Sequence, residues 1–514
     1  MKGLLLCLYI AFLPILLFAQ SDETPTPQWR SVYHFTPEKN WTNDPNGLIY
    51  FNNEYHLYNQ QNPFENKWGH MSWGHAASTD LIHWKHLPVA IPEILKGADT
   101  TWIFSGSAVL DKNNSSGFCT NNSCLVAIYT AHSPNRKNES QSIAYSNDGG
   151  MSYTDYEKNP VIDLDKQDFR DPSVFWYEPG KYWLMTVVVP WEHKAQFYGS
   201  PDLKKWTLLS EFGPQGYVEA TWECPFLIQL PVEGKPGVQK WVLVISSGFK
   251  NGPYMQYFTG DFDGKEFKND NPAASILTVD YGDTYYAAIP WNNLPGKEKT
   301  YIGWMVPNPE PTYPWRGQMS IPRDLGLKQT KDGYRLVQKP AAIITKNLDK
   351  FSNHQITKLS NVKIANQEKP VDIKGNAYWL DAELSVDAGT IAGFKIAQQK
   401  DGDKTIAETV ISYDAGSKQV VVDRTNSGGG KVNPNRIKDT IPLENDSRTI
   451  RLTILLDKSS LEIFVNDGEA ALTTYIYPGE NADGIAAFAT GGTATLKTLK
   501  AWNLSKANAQ QAAL

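Results

Sequence analysis

The sequence predicts an all-β protein, a five-bladed β-propeller followed by a C-terminal β-sandwich, on three observations. Between residues 32 and 340, short apolar runs are broken by Gly, Pro, Asn and Asp, and no long stretch keeps a 3.6-residue period. A unit with a polar start, a strand, a turn and a second strand recurs five times there, over 44–59, 105–130, 171–188, 223–246 and 286–304. From residue 354 onward the pattern becomes apolar–polar alternation, as in sheets with one wet face. At 514 residues the chain exceeds what one core usually serves, so two domains are expected.

The chain opens on Met1-Lys2-Gly3, an apolar run from Leu4 to Phe18, then Ala19-Gln20-Ser21-Asp22. This reads as a secretory signal over 1–19, cleaved after Ala19. The run is short for a membrane span and no second apolar stretch of that length follows. The mature chain is therefore expected to lack an integral membrane segment and to be exported, to the periplasm or the exterior.

The propeller reading covers 30–340, with the start of each unit forming the innermost strand of a blade. Between the units, Ser78-Thr79-Asp80 with Trp84, Ser146-Asn147-Asp148 with Tyr153, Ser200-Pro201-Asp202 with Trp206, and Gly260-Asp261-Phe262-Asp263 read as outer hairpins. Units of this length with about four strands suit radial blades, although a β-sandwich with similar spacing fits the same pattern. On the propeller reading Asp44, Asp171 and Glu223, which open the first, third and fourth units, converge at one mouth of the central channel. Residues 341–353 read as a linker, 354–506 as the sandwich, with Asn466-Asp467-Gly468-Glu469 a hairpin turn, and 507–514 as a flexible tail.

The net charge of −6 leaves no basic stripe, so nucleic acid is not an expected partner. The 17 Trp and 25 Tyr suit β structure and the stacking of sugar rings, although for any single ring the core is the better reading. Without the signal, three cysteines remain. Cys119 and Cys124 flank a Thr-Asn-Asn-Ser loop and are close enough to bond in an oxidising compartment, whereas Cys224 reads as an unpaired packing residue. No metal or cofactor is implied, since no second Cys pair or His pair stands at zinc-ligand spacing to complete a site with Cys119 and Cys124, and His56, His70 and His75 read as core residues. Asn40-Trp41-Thr42, Asn113-Asn114-Ser115 and Asn138-Glu139-Ser140 are formal glycosylation sequons.

Three acids each stand just before a proline and an apolar β run, in Asn43-Asp44-Pro45-Asn46-Gly47, Arg170-Asp171-Pro172 and Glu223-Cys224-Pro225. One such acid is an ordinary turn cap, but a cap has no use for the apolar strand that follows all three. On these motifs the chain resembles glycoside hydrolase family 32, the β-fructosidases that include invertases, inulinases and levanases. The likeness extends to Trp68-Gly69, Trp73-Gly74-His75, Phe104-Ser105-Gly106-Ser107, Tyr285-Tyr286-Ala287-Ala288, Gly303-Trp304-Met305 and Pro314-Trp315-Arg316-Gly317.

The resemblance implies the same two-domain fold and a fructose-containing oligo- or polysaccharide as substrate. It makes Asp44 the nucleophile, Glu223 the general acid/base and Asp171 the transition-state stabiliser. Asn43, Gln60, Trp68, Phe104, Ser105, Arg170 and Trp315 stand where the family contacts fructose, and Asn59 stands where the family usually has an aromatic residue. Locally, amides and a turn should keep Asp44 ionised, Arg170 should keep Asp171 charged, and Trp222, Cys224, Pro225 and Phe226 should disfavour charge on Glu223. The loops over 62–73, 113–124 and 308–315 read as rigid rims of a pocket, which favours exo attack. Alternatives are an endo-levanase or endo-inulinase, a fructosyltransferase sharing the covalent intermediate, an inverting hydrolase on a similar scaffold and a non-catalytic sugar-binding propeller. The sequence leaves inulin, levan or sucrose preference and monomer or homodimer open.

Overall fold

The computed structural model describes residues 25–507 except 98, 249–251, 308–311, 374, 428–431 and 445–446. The expected signal over 1–19, residues 508–514 of the expected tail and part of the 308–315 rim lie outside the described residues.

Five antiparallel sheets follow one another along the chain. Their inner strands are Asn40–Phe51, Asp99–Asp111, Arg170–Tyr177, Glu223–Pro231 and Tyr285–Pro290; each touches the next, and the last returns to the first, closing a ring. Inner and second strands such as Tyr182–Val189 and Thr300–Met305 lie between neighbouring blades and read as apolar runs, whereas the outer strands Lys85–Ile91 and Thr207–Phe212 are largely wet. Closure is reinforced where Trp315–Arg316, from the fifth unit, pairs in parallel with Asn40 and Trp41 of the first blade. Asn292 spans the axis: its side chain donates to Ala108 O at 2.8 Å and Val174 O at 3.0 Å, while its own N–H donates to Leu48 O at 2.9 Å. A cavity of about 650 Å³ follows the channel and is lined by Ser105, Asp171 and Cys224 as well as Asn292 and Trp241.

The stretch expected as a linker is folded into two single-turn helices, Ala342–Thr345 and Leu348–Phe351, whose Ile344, Leu348 and Phe351 are buried in the propeller's core cluster. Beyond it lies a two-layered sandwich built on one continuous ladder. The strand Gly484–Asn503 pairs with Ile391–Asp401 through its first half and with Ala377–Val386 through its second. Its partner Ile356–Pro370 follows both halves, with a register break between Ala365 and Gln367. Gly491 (φ +79°) and Asn366 (φ 48°) lie at the corner, where the left-handed conformation turns both strands from one layer to the other. Between the layers, residues such as Leu380, Phe394, Ile454 and Leu472 form the core. Ala507, expected in the flexible tail, is instead buried, and its carbonyl bonds His83 Nε2 at 2.6 Å.

The segment entering the first blade staples the two domains. The backbone N–H groups of Val32, Tyr33 and His34 all donate to Asp457 of the sandwich, at 2.7, 2.8 and 3.0 Å, and Met319 N donates to Phe35 O of the same segment.

Candidate active site

All five inner strands carry the same irregularity near the start of their pairing. The register breaks between Thr42 and Pro45, Ile103 and Gly106, Arg170 and Ser173, Glu223 and Phe226, and Tyr286 and Ile289. In each, two residues of the inner strand face one of its neighbour, a β-bulge that turns side chains out of the sheet and towards the axis. Asp171 (φ 67°), Cys224 (φ 45°) and Ala287 (φ 52°) take a left-handed backbone to make the bend, which costs of order 1–3 kcal/mol each. The prolines after Asp44, Asp171 and Cys224 suit this break, because Pro cannot donate to the ladder. At Gly47 (φ +53°) a Cβ would stand 2.7 Å from both Trp73 and Tyr58, so only glycine lets the first strand pass. The residues facing the first two bulges reach on to the next blade: Gln60 Nε2 donates to Ile103 O at 2.8 Å, and Thr130 Oγ1 accepts from Asp171 N at 2.9 Å.

The repeated bulge brings the three acids together. Ser105 Oγ donates to Asp44 Oδ2 at 2.6 Å, and Asn43 Nδ2 to Asp44 Oδ1 at 3.1 Å. Cys224 lies between two of them: its thiol is 3.5 Å from Asp44 Oδ2 and 3.6 Å from Asp171 Oδ2, and its backbone N–H donates to Asp171 at 2.8 Å. Glu223, with a quarter of its side chain open, accepts from Arg170 Nε at 3.2 Å and from the Tyr286 hydroxyl. Arg170 NH1 is also held by Asp168 at 2.8 Å and by both oxygens of the buried Glu139.

The electrostatics differ from the sequence expectation. Burial pushes the Asp171 carboxyl up to about 8; Arg170 opposes this, while Glu223 and Asp44 add to it. Burial also raises Asp44, against the hydrogen bonds from Ser105 and Asn43 that hold it down. Asp171 is therefore not kept charged by Arg170 as expected, and at Asp44 burial works against the hydrogen bonds that favour its charge, because clustered carboxylates in a dry site compete for ionisation. The apolar residues around Glu223 are also placed otherwise. Trp222 and Phe226 are fully buried within the blades, Trp222 against Phe212 and Phe258, so the Glu223 carboxyl meets Arg170 and Tyr286 instead.

Of the expected sugar contacts, Asn43, Ser105 and Arg170 touch the acids directly. Trp68 is half exposed and packs edge-on to Trp102 and Phe104, and Phe104 stacks flat on His132 at 4.3 Å. Gln60 is buried and acts as a buttress. Trp315 is only 2% exposed, with the Arg30 guanidinium 3.9 Å above its ring, so it forms no open wall. The two-residue strand explains this: adjacent residues face opposite ways, and Arg316 is the one that lies over Trp41. Trp41 in turn donates to Asn43 Oδ1 at 2.8 Å and is the ring that meets the Asn43–Asp44 pair. Asn59, where the family usually has an aromatic residue, is buried and donates to Thr42 Oγ1. His56 and His75 bond each other in the first blade at 3.0 Å, and burial lowers His75 to about 3, which leaves it neutral. Cys119 and Cys124 are disulfide-bonded.

Sequence reasoning missed Tyr286, Trp41, His132 and Glu139. Tyr286 opens the fifth unit as Asp171 and Glu223 open the third and fourth, and that repeat position was the one signal that could have exposed it. Glu139 sits inside a formal sequon, where nothing marks it as buried.

Comparison with known proteins places these features. Residues 34–340 match the family described as Glycosyl hydrolases family 32 N-terminal domain, and residues 344–503 match Glycosyl hydrolases family 32 C terminal. A levanase of Bacillus subtilis is 42% identical over 98% of this chain and 76% of its own length. An extracellular exo-inulinase of Aspergillus niger is 38% identical over 90% of this chain and 92% of its own. Among solved structures, an exo-inulinase from Aspergillus awamori superposes with a TM-score of 0.86 at 35% identity, covering 93% of this chain and 99% of that one. A fructofuranosidase from Schwanniomyces occidentalis complexed with fructose gives 0.82 at 31% identity, over 93% and 99%.

Proposed function

The chain belongs to glycosyl hydrolase family 32 and is a β-fructosidase, and we propose that it is a retaining, exo-acting enzyme that removes fructosyl units from the ends of fructans and from sucrose. The observation that carries this reading is the meeting of three carboxylates at one mouth, with the Cys224 thiol between Asp44 and Asp171, and Arg170, the residue before Asp171, bonded to Glu223.

In the first step Asp44 attacks the anomeric carbon while Glu223 protonates the departing glycosidic oxygen. The bond to the leaving group breaks and a fructosyl ester forms on Asp44. In the second step water attacks the same carbon, gives its proton to Glu223 and releases fructose and the Asp44 carboxylate. Ser105 and Asn43 favour the ionised nucleophile. Asp171, protonated at neutral pH, spares Asp44 a neighbouring charge and can donate to and accept from fructosyl hydroxyls, bonds that strengthen as positive charge grows on the ring.

Exo attack is supported by the aromatic rim of Trp68, Trp102 and Phe104 and by relatives that are themselves exo-inulinases. The extracellular relatives also support export and the reading of residues 1–19 as a signal. A time course on levan and on inulin at low conversion tests the mode of attack. Free fructose should dominate with little fall in polymer size; fructo-oligosaccharides appearing first would overturn exo action. Equal glucose and fructose from sucrose is expected of a hydrolase, and a fructose deficit would favour the transferase.

A further inference from the structure

The roles proposed above account for the three acids at the mouth but not for Glu139. It lies on the strand Asn138–Ser146 of the second blade, only 2% exposed. Every acceptor direction it has is used towards the active site. Oε2 accepts from Phe169 N at 2.9 Å and from Arg170 NH1 at 2.8 Å; Oε1 meets Arg170 NH1 at 3.1 Å and His132 Nδ1 at 3.3 Å. Neighbouring side chains of the same blade complete the grip. Gln141 Nε2 donates to Phe169 O at 2.7 Å, and Thr130 Oγ1 accepts from Asp171 N at 2.9 Å while donating to Gln141 Oε1 at 3.0 Å. The backbone that carries Arg170 and Asp171 is therefore set by the second blade.

Resting on the fructosidase reading above, we propose that Glu139 is a positioning residue that decides how the Arg170 guanidinium is shared, and so sets the pH range over which Glu223 can act as an acid. Arg170 offers NH1 to Glu139 and Asp168 and Nε to Glu223, and Asp171 lies beside it in sequence. The charged and titratable groups facing this guanidinium are thus Glu139, Asp168, Asp171 and Glu223, with His132 behind Glu139. A full positive charge directed at Glu223 would favour its carboxylate and shorten the range in which it holds a proton for the leaving group. The negative charge on Glu139 offsets part of that field and fixes NH1 away from Glu223. Its contact with His132 also supports the ring on which Phe104 stacks, with the planes within 3° of parallel, so the same carboxylate steadies the aromatic group of Phe104, Trp102 and Trp68.

Glu139→Gln tests this, because the amide can still accept from Phe169 N and Arg170 but carries no charge. The expected result is an alkaline limb of the kcat/KM profile on sucrose moved down by about one pH unit, with an unfolding midpoint close to the parent's and the limb restored in Glu139→Asp. A limb that stays in place in Glu139→Gln overturns the proposal, and a lowered midpoint with an unmoved limb would make Glu139 merely structural. A parent enzyme that releases no fructose would instead sink the fructosidase reading, which the same series shows separately.

Discussion

Two clusters of buried charge, one at the mouth of the propeller and one at the seam with the sandwich, are made from the same residue types and do opposite things. At the seam, His34 bridges Asp457 and Glu462 at 2.8 Å each, and Arg323 reaches Asp280 at 3.0 Å and also Glu462, with every side chain sealed from solvent. Arg323 is further held 4.0 Å from the Tyr285 ring and 4.9 Å from that of Phe464. Each seam carboxylate has a cation. At the mouth one guanidinium serves Glu223, Glu139 and Asp168, while Asp44 meets only a hydroxyl, an amide and a thiol. The consequence is visible in the protons. Burial would raise Glu462, yet Arg323 and His34 outweigh it and hold it low, whereas burial at the mouth carries Asp171 up to about 8. Burial of charge therefore does not by itself mark a catalytic site; charge left uncompensated beside an opening does.

If that contrast is right, substitutions in the two clusters should separate activity from stability. The largest effect is expected of Asp44→Asn, which cannot form the fructosyl ester: a loss of about 10⁴-fold or more in kcat, some 5 kcal/mol, with the unfolding midpoint unchanged or raised. Fructose release and thermal unfolding measured together check it, and activity within tenfold of the parent would remove Asp44 from the role of nucleophile. Arg323→Ala should do the reverse. It strands Asp280 and Glu462 in a dry seam at a cost of about 3–5 kcal/mol, while the molecules that remain folded keep the parental KM. A midpoint within a degree or two of the parent's would show that the seam pairs are dispensable.

The two clusters also differ in how they respond to pH. His34 is pushed down by burial, but Asp457 and Glu462 outweigh this and raise it from 6.5 to about 9. Folded protein binds this proton more tightly, so its contribution, of order 3 kcal/mol, is complete below pH 6.5 and is lost as pH rises through 9. Asp171 carries the same sign, present below its ordinary 3.8 and lost as pH rises through about 8. Stability should therefore fall from pH 6 to 9.5, and Asp171→Asn, which keeps the mouth neutral, should be more stable than the parent at pH 8–9 although inactive. Unfolding midpoints across that range decide it; an Asp171→Asn curve parallel to and below the parent's would contradict the protonated reading.

What the sequence made legible follows the same division. The acids of the mouth are local signals, each followed within a residue or two by a proline that breaks the ladder, and the five-fold repeat exposed the blades because each must rebuild one inner strand. The bulges themselves were not legible, since the positive φ at Asp171 and Cys224 falls on residues that carry no glycine signature. Nor was the seam: His34 and Asp457 are 423 positions apart, and only the docking of two domains makes them neighbours. Trp315 shows the limit of motif matching, because the motif marks the residue while only the fold shows that it is buried with the Arg30 guanidinium over its ring.

The smallest effect should come from the rim, where an aromatic residue contributes area without charge. Trp68 is 50% exposed, yet it is held edge-on by Trp102 at 5.3 Å and by Phe104 at 6.0 Å, and on the exo reading proposed above it is a sugar-facing wall already in place. A ring of this kind supports the bound sugar in the ground state and the transition state alike, which lowers KM and leaves kcat nearly unchanged. Trp68→Ala should accordingly raise KM about 5-fold, near 1 kcal/mol, with kcat within twofold and no loss of stability, because half the side chain was in water to begin with. Kinetics on sucrose and on a long fructan distinguish two versions of this role. An equal rise in KM on both means that Trp68 faces the terminal fructosyl unit, whereas a rise confined to the fructan means that it supports units on the leaving side. A fall in kcat with KM unchanged would show that Trp68 acts only in the transition state and belongs with the charged cluster after all.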